Sequence, residues 1–304
     1  MKIWASRYKK YHVEIGNILL IIVLTGILFP TLSADYVLHQ FVILVILTMG
    51  LSLEMLSGVL DFAFMAEIAM MTCVGGMCLR VGLPVLISLI IMLFGQMLLG
   101  MVKGFLIGRI YVNPILLTFI LQWIYQGTAD IFGDAVPVPK VMDYYGSRLF
   151  WILLLAIAIV IYIFLRVLLT HTYYGKYVRM LGENEAAVRN SGIRFDICRM
   201  IICGISGIVF AQVAVIFLLI INSGGSDMGK GYLYPVIAAA CLGGINFLKG
   251  RGHLRGAILG SMSMVLLLNL SAVWGLYNYY SYSYFWRIGI FVIAVVVFTR
   301  ERKN

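Results

Sequence analysis

Charged side chains are scarce in this chain. Aspartate, glutamate, lysine and arginine make up 12% of its 304 residues, whereas hydrophobic residues make up 62%. Soluble globular proteins have about 25% charged and about 45–50% apolar residues, so the composition excludes a soluble globular domain. Apolar runs of about 18 residues or more recur, and each is long enough to cross the ~30 Å hydrocarbon layer as a helix. The sequence therefore predicts an all-α, polytopic membrane bundle.

Cysteine and histidine are also few. The five cysteines include no C-x-x-C pair, and most lie in apolar segments, so we interpret them as small buried hydrophobic residues. The four histidines are scattered along the chain. The sequence has no paired His/Glu metal motif and no G-x-S-x-G nucleophile motif. We therefore predict no metal, no cofactor and no catalytic centre.

One short segment imitates a nucleotide-binding loop. Residues 224–231, GGSDMGKG, have P-loop spacing up to Lys230, but Gly231 replaces the Ser or Thr that holds Mg²⁺. The sequence predicts no strand before the segment, and the charge pattern described next places it outside the cytoplasm. We expect a flexible outer loop and no ATP hydrolysis by this chain.

The net charge of +10 has a membrane explanation. No basic stretch is interleaved with stacking aromatic residues, so we predict no nucleic-acid partner. Lys and Arg instead gather on the cytoplasmic loops of membrane proteins. We predict ten helices, which places both termini on the same side of the membrane, at residues 15–33, 37–56, 59–79, 84–102, 112–133, 149–169, 197–221, 233–248, 255–274 and 285–299.

The basic residues indicate which side of the membrane the termini face. Eighteen of the 23 Lys and Arg fall on one side of this topology: at the N-terminus, in a predicted 103–111 loop that carries Lys103 and Arg109, in and just before a long polar segment, in the 249–255 turn and in the tail. We therefore expect cytoplasmic N- and C-termini. The apolar run from Ile15 to about Thr31 exceeds a signal-peptide core, so we interpret it as an uncleaved first membrane helix.

The link between the second and third predicted helices is too short for an ordinary loop. It consists of Ser57, Gly58 and Val59. The two segments are either two crossings or one region with a broken helix, whose irregular backbone faces protein or water.

Residues 171–196 lie in the longest polar and basic interruption, and we expect them to form a cytosolic loop. Within it, LGENEAAVRNSGI (181–193) can form one or two helical turns along the membrane surface. Asn184 can cap such a helix, and the negative charge of Glu185 is favoured at its start by ~0.3–1 kcal/mol. We expect Ala186, Ala187 and Val188 to form its apolar face, with Arg189 at the rim. The alternative is a solvated loop beside anionic headgroups.

Four segments together resemble the permease subunit of ABC importers of the ribose/monosaccharide type, a family related to branched-chain amino acid permeases. They are LGENEAAVRNSGI (181–193), AAACLGGINFLKGRGHLRGAILG (238–260), NPILLTFILQWIYQG (113–127) and LSGVLDFAFMAE (56–67). The first two are the specific ones. The resemblance implies that residues 1–304 form a single transmembrane permease domain. It also implies a coupling helix that docks on an ATPase subunit, with contacts from Gly182, Glu183, Asn184, Glu185, Ala186, Ala187, Arg189, Ser191 and Gly192.

The resemblance also implies partners and a cargo. The partners are ABC ATPase subunits, an extracytoplasmic solute-binding protein, a second permease copy or a related permease, and membrane lipid. The expected cargo is a small polar solute, with a simple sugar first. In the second segment, Gly252, Gly256 and Gly260 repeat at four-residue spacing, which lets helices approach closely. Gly100, Gly104 and Gly108 repeat that pattern.

The fourth segment departs from the family pattern at several positions. Asp61 and Gly58 match, but Val59, Ala63 and the Met65-Ala66 pair replace small or hydroxyl residues. Two extra acids, Glu54 and Glu67, flank the motif. Either the cargo is not a plain monosaccharide, or this subunit pairs with a less altered permease.

Asp61 has two interpretations. A carboxylate costs about 2.5–3.5 kcal/mol at the centre of a membrane helix, so it needs a partner or a role. It either borders the substrate path or only pins a helix break by accepting backbone hydrogen bonds. We predict that the path includes Asp61, Glu54, Thr118, Gln122 and Asn269, with Gln126 and Asn246 as further candidates. The rival function is an ion-gradient-driven secondary transporter that uses Glu54, Asp61 and Glu67 as proton or cation sites.

Overall fold

The structure is a computed structural model that describes residues 2–29, 33–110, 112–132, 136–137, 148–190, 194–273 and 289. This part of the chain is almost entirely helical. Two short strands, β1 (Val136–Pro137) and β2 (Ser223–Gly224), pair antiparallel, and a 3₁₀ turn covers Lys230–Tyr232. The helices are α1 (Lys2–Leu28), α2 (Ala34–Leu56), α3 (Phe64–Arg80), α4 (Val85–Ile110), α5 (Pro114–Phe132), α6 (Arg148–His171), α7 (Tyr173–Glu183), α8 (Glu185–Asn190), α9 (Phe195–Ile221), α10 (Leu233–Leu242) and α11 (Leu254–Val273).

Six of these helices are long and apolar enough to cross a membrane, namely α2, α4, α5, α6, α9 and α11. The multi-pass all-α architecture predicted from the sequence is thereby confirmed. Within the described residues, nine of the ten predicted segments contain a helix, and the tenth, 285–299, lies outside them except for residue 289. The prediction of ten crossings stays a prediction.

The centre of the bundle is built on α2 and α9. About 67% of the membrane window of α2 and 61% of that of α9 is buried, against 22% for α4, α5 and α6. Phe64 of α3 stacks on Phe210 of α9, and that ring also fills the space beside Gly50 of α2. The helices α4, α5 and α6 therefore turn most of their apolar surface outward, as membrane helices do toward lipid or a partner subunit.

Helices α4 and α9 run antiparallel along a glycine seam. A Cβ atom on Gly100, Gly104 or Gly108 would lie 2.2, 2.5 or 2.6 Å from backbone atoms of Cys203, Arg199 and Asp196, respectively. Side chains larger than hydrogen would force these helices apart. Helix α4 continues along this seam to Ile110, so the prediction of a loop that starts at residue 103 is wrong.

The connection between α2 and α3 is a turn of irregular backbone inside the protein. The amide groups of Ser57, Gly58 and Val59 donate to carbonyl oxygens in the last turn of α2, and Gly58 has a φ of 83°. Residues 57–63, which we call the break, are buried except for Gly58 and Phe62. The third helix begins at Phe64, five residues later than predicted.

One end of the bundle, which we call the basic end, collects most of the described cationic residues. The break, the α7–α8 segment, the start of α9 and the 243–253 turn meet there, since Gly182 of α7 lies against both Leu56 and Gly250. The basic end carries Arg109, Arg166, Lys176, Arg179, Arg194, Arg199, Lys249, Arg251 and Arg255, whereas Arg80 and Lys230 lie toward the opposite end.

Candidate functional site

A cluster of four charged side chains lies beside the break. The Nζ atom of Lys103 is 3.3 Å from Glu54 Oε1 and 3.2 Å from Glu67 Oε1, and it is also paired with Asp61. All four side chains are fully buried. They come from the last turn of α2, the break, the first turn of α3 and the second half of α4. This Lys103 cluster therefore ties three successive segments to a fourth.

Neighbouring groups complete the Lys103 cluster. Asp61 Oδ1 accepts a 2.7 Å hydrogen bond from the Ala63 amide, next to the start of α3, and Gln96 donates to Glu67 at 3.4 Å. Glu54 Oε2 has no hydrogen-bond donor. Within the described residues no group of three His, Cys, Asp or Glu side chains is placed to hold a metal ion.

This geometry bears on two predicted path residues. Asp61 and Glu54 are fully buried, and neither lines any of the cavities described below. The backbone bond from Ala63 is the one expected if Asp61 pins a helix break. Sequence reasoning missed Lys103, although three acids in one buried stretch signal that a cation must lie nearby.

The remaining path candidates are dispersed. Thr118 on α5 is buried and donates a 3.4 Å hydrogen bond to the Leu60 carbonyl, and Gln122 follows one turn later. Asn269 on α11 bonds to Gln40 of α2. Helix α5 packs mainly on α3, whereas α11 packs on α1, α2 and α10, so the described part of one chain does not bring these residues into one cavity.

Two of the further candidates also have clear places. Gln126 on α5 donates a 3.0 Å hydrogen bond to the Ser226 carbonyl, toward the end opposite the basic end. Asn246 lies in the 243–253 turn, where its backbone pairs with Arg251. Helix α10 ends at Leu242 instead of near 248, so Asn246 is not on a helix as predicted, and its place on the path stays a prediction.

The predicted cytosolic segment forms two short helices at the basic end. Asn184 Oδ1 accepts a 3.0 Å hydrogen bond from the Ala187 amide at the start of α8. Glu185, in the first turn, pairs with Arg199 of α9 at 2.9 Å. Val188 is buried and Ala187 is exposed, so the expected shared apolar face is split; the side chains of Ala186 and Arg189, and residues 191–193 with Ser191 and Gly192, lie outside the described residues.

Helix α7 sits on the last residue of α2 and on the start of the break, where a Cβ atom on Gly58 would lie 3.4 Å from Gly182 Cα. A Cβ atom on Gly182 would lie 2.2 Å from the Leu56 carbonyl oxygen and 2.5 Å from Gly250 Cα. The adjacent Glu183 pairs with Arg251 in the 243–253 turn at 3.1 Å. A cavity of about 280 Å³ opens beside this contact, between the break, α7, α9 and the start of α5. The α7–α8 segment thus contacts the end of α2, two residues from Glu54 of the Lys103 cluster.

The other predicted small-residue positions lie where α10 and α11 meet. A Cβ atom on Gly256 would lie 1.8 Å from the Gly243 carbonyl oxygen, and one on Gly260 would lie 2.0 Å from that of Ala239. Gly252 lies in the turn before α11 with a φ of 149°, and a Cβ atom there would lie 2.9 Å from Ile245 Cα. Only hydrogen fits at the first two positions without a backbone shift.

Comparison with known proteins adds an independent line of evidence. A family model described as "Branched-chain amino acid transport system / permease component" matches residues 33–296. The chain is 23% identical over 289 residues to the ribose import permease protein of Escherichia coli K12, covering 90% of each chain. It is 26% identical over 284 residues to the autoinducer 2 import system permease protein LsrC of Photorhabdus luminescens, covering 86% of this chain and 84% of that one.

A third relative is the fructose import permease protein of Bifidobacterium longum, which is 24% identical over 259 residues and covers 80% of this chain and 76% of its own. No solved structure matches the chain. The family match spans most of the sequence and agrees with the six membrane-length helices. The chain therefore belongs to the branched-chain amino acid transport system permease family and is a transmembrane permease of an ABC importer.

Proposed function

We propose that this permease forms the translocation path for a small, neutral, polar solute, with a simple sugar as the first candidate, and that a partner subunit hydrolyses the ATP. The relatives named for ribose and fructose import support this cargo class. The observation that carries the proposal is the contact of Gly182 with Leu56 and Gly250. It joins the segment expected to meet the ATPase to the helix break inside the bundle.

The packing suggests how force passes through the molecule. ATPase subunits dock on α8 and its flanking residues at the basic end. Displacement of α7 acts on the break through Gly182, because no side chain lies between the two backbones. The Lys103 cluster passes the movement to α4, which packs closely on α9. Gating by such rigid-body shifts is a common way for transporters to alternate between states.

The wider assembly follows from the same reasoning. The basic end and both termini face the cytoplasm of a bacterial cell, with the chain in the inner membrane. A solute-binding protein delivers cargo at the opposite end. A second permease copy or a related permease, together with lipid, covers the outward apolar faces. The domain is a single unit of about ten crossings.

The rival secondary transporter is not favoured. The family match indicates an ATP-driven importer. The three carboxylates it would need, Glu54, Asp61 and Glu67, surround Lys103 and have no exposed surface. A transported ion would have to displace that lysine.

A charge reversal tests the docking surface. Glu185→Lys should uncouple ATP hydrolysis from uptake, but it also leaves Arg199, which is 3% exposed, without its partner. Ala187→Lys is cleaner, because Ala187 is exposed and the charge falls on the proposed docking face. We expect unchanged membrane insertion and melting temperature, and ATP-driven uptake about tenfold or more below wild type, the effect of ~1.4 kcal/mol of lost docking free energy.

The matched control adds the same charge at the other end of the bundle. Leu83, in the turn between α3 and α4, is 38% exposed, and Leu83→Lys should keep near-normal uptake. Wild-type uptake by the Ala187→Lys transporter would contradict the assignment of α8 as the ATPase contact.

A further inference from the structure

A small cavity lies toward the end opposite the basic end, between α2, α10 and α11. Its volume is about 210 Å³. It is bounded by the side chains of two tyrosines and two amides together with apolar and small residues. The described lining is Tyr36, Gln40, Leu44, Gly231, Tyr232, Pro235, Val265, Leu268, Asn269 and Ala272, and it contains no charged side chain.

The two amides form a preset hydrogen-bonding pair. Asn269 is 9% exposed, and its Nδ2 donates 2.8 Å hydrogen bonds to both Gln40 Oε1 and the Val265 carbonyl. Both amide hydrogens of Asn269 are therefore used, which leaves Asn269 Oδ1 as an acceptor and the Gln40 NH₂ group as a donor for a ligand. Amide and tyrosine groups without charge suit a ligand rich in hydroxyl groups, whose C–H faces also pack on aromatic rings.

The cavity lies at the start of an interrupted helix. Helix α10 has only 10 residues and begins at Leu233, directly after the 3₁₀ turn that contributes Gly231 and Tyr232 to the lining. Discontinuous helices of this kind commonly line solute sites within transporters. The absence of charge from the described lining also argues against an amino acid, since its ammonium and carboxylate groups would be left unpaired.

We propose that the cavity bounded by Tyr36, Gln40, Tyr232 and Asn269 is a subsite for a neutral, polyhydroxylated solute on the outer half of the path. Its place on a path rests on the proposed importer function. Its ligand class rests on the lining alone.

Thiol labelling tests the subsite without the ATPase. In full-length protein with Cys78→Ala, to remove the partly exposed native cysteine, Ala272→Cys places a thiol in the lining. Val273→Cys is the matched control, one residue further along α11, 51% exposed and outside the lining. A membrane-impermeant maleimide is added to right-side-out vesicles with D-ribose, D-fructose, L-leucine or no solute.

We expect both thiols to be labelled, and a sugar to slow labelling at position 272 severalfold while leaving position 273 unchanged. Asn269→Leu in the Ala272→Cys protein should abolish the protection but not the labelling. No protection by either sugar, equal protection by L-leucine, or protection that survives Asn269→Leu would overturn the subsite. Protection without ATP-driven uptake by the assembled transporter would overturn the importer function and leave the subsite standing.

Discussion

The cost of burying Lys103 is offset by carboxylates from three different segments. A lysine in a membrane interior is costly without partners, and here Glu54, Asp61 and Glu67 all lie around its ammonium group. Removing the lysine would leave three acids facing one another with no cation. The stability of the break therefore depends on one side chain.

Lys103→Met should lower the free energy of unfolding by about 3–5 kcal/mol, because breaking a buried ion pair leaves uncompensated charge. The measurement is the melting temperature of the detergent-solubilised protein. Arg109→Met, on the same helix at an exposed position, serves as the control and should change it little.

Neutralising the whole cluster gives a second, opposite expectation. Lys103→Met combined with Glu54→Gln, Asp61→Asn and Glu67→Gln should recover most of the lost stability, since buried ion pairs replaced as a unit by neutral groups are often tolerated. If the quadruple variant melts below the single one, the instability comes from lost packing of the lysine stem and not from unpaired charge.

The sequence predicted part of this arrangement at the level of single residues. The free-energy cost of placing the Asp61 carboxylate in the membrane predicted that it has a partner or a role. Asn184 was predicted as a helix cap from its position alone. Lys103 was assigned to a loop because a charge rule counts residues and not their partners. The glycine spacing through Gly104 and Gly108 was visible, but its partner helix lies about 90 residues away in sequence.

At the scale of elements, the central relation is the seating of α7 on the break. The contact is made backbone to backbone by Gly182, Gly250 and Leu56. Such a contact transmits displacement in both directions, because side-chain rotation cannot absorb it. A methyl group on residue 182 would push α7 away from the end of α2 and from Gly250.

Gly182→Ala should therefore reduce coupling between ATP hydrolysis and uptake by an order of magnitude or more, since the added Cβ would lie 2.2 Å from the Leu56 carbonyl oxygen. The measurement is solute transported per ATP hydrolysed in proteoliposomes with the partner subunits. Gly127→Ala on α5, where a Cβ would meet nothing within 4 Å, should behave as wild type. Equal coupling in the two variants would count against force transfer through this contact.

Helix existence was predictable from the length of apolar runs, and the short link at Ser57, Gly58 and Val59 predicted an interruption, but the bounds of the interruptions were not predictable. The break mixes Ser57, Gly58 and Asp61 with four apolar residues, so the sequence does not show that α3 begins only at Phe64. Ile245, Phe247 and Leu248 likewise continue the apolar run past the end of α10 at Leu242. In a membrane protein, buried irregular backbone satisfies its polar groups within the protein, so composition does not mark it. Gly58, Gly229 and Gly244, which have positive φ, were the available signals.

At the scale of the whole molecule, the charge asymmetry and the internal contacts agree. The 243–253 turn, the α7–α8 segment and the ends of α2 and α4 share one end, although they are far apart in sequence. Asn17 of α1 bonds to the Leu242 carbonyl at 2.7 Å, so α1 also begins toward that end. The basic residues that the positive-inside rule counts along the sequence are therefore also gathered at one end of the folded bundle.

This agreement leads to a topology test with a definite outcome. In protein with Cys78→Ala, Lys249→Cys at an exposed position of the 243–253 turn should be labelled by an impermeant maleimide only in inside-out vesicles. Val81→Cys, 81% exposed at the opposite end, should be labelled only in right-side-out vesicles. The two positions differ in side because Val81 lies just before the start of α4, whose other end reaches the basic end that also holds the 243–253 turn. The reverse pattern would put α8 outside the cell, out of reach of any ATPase, and the importer mechanism built on that contact would have to be abandoned.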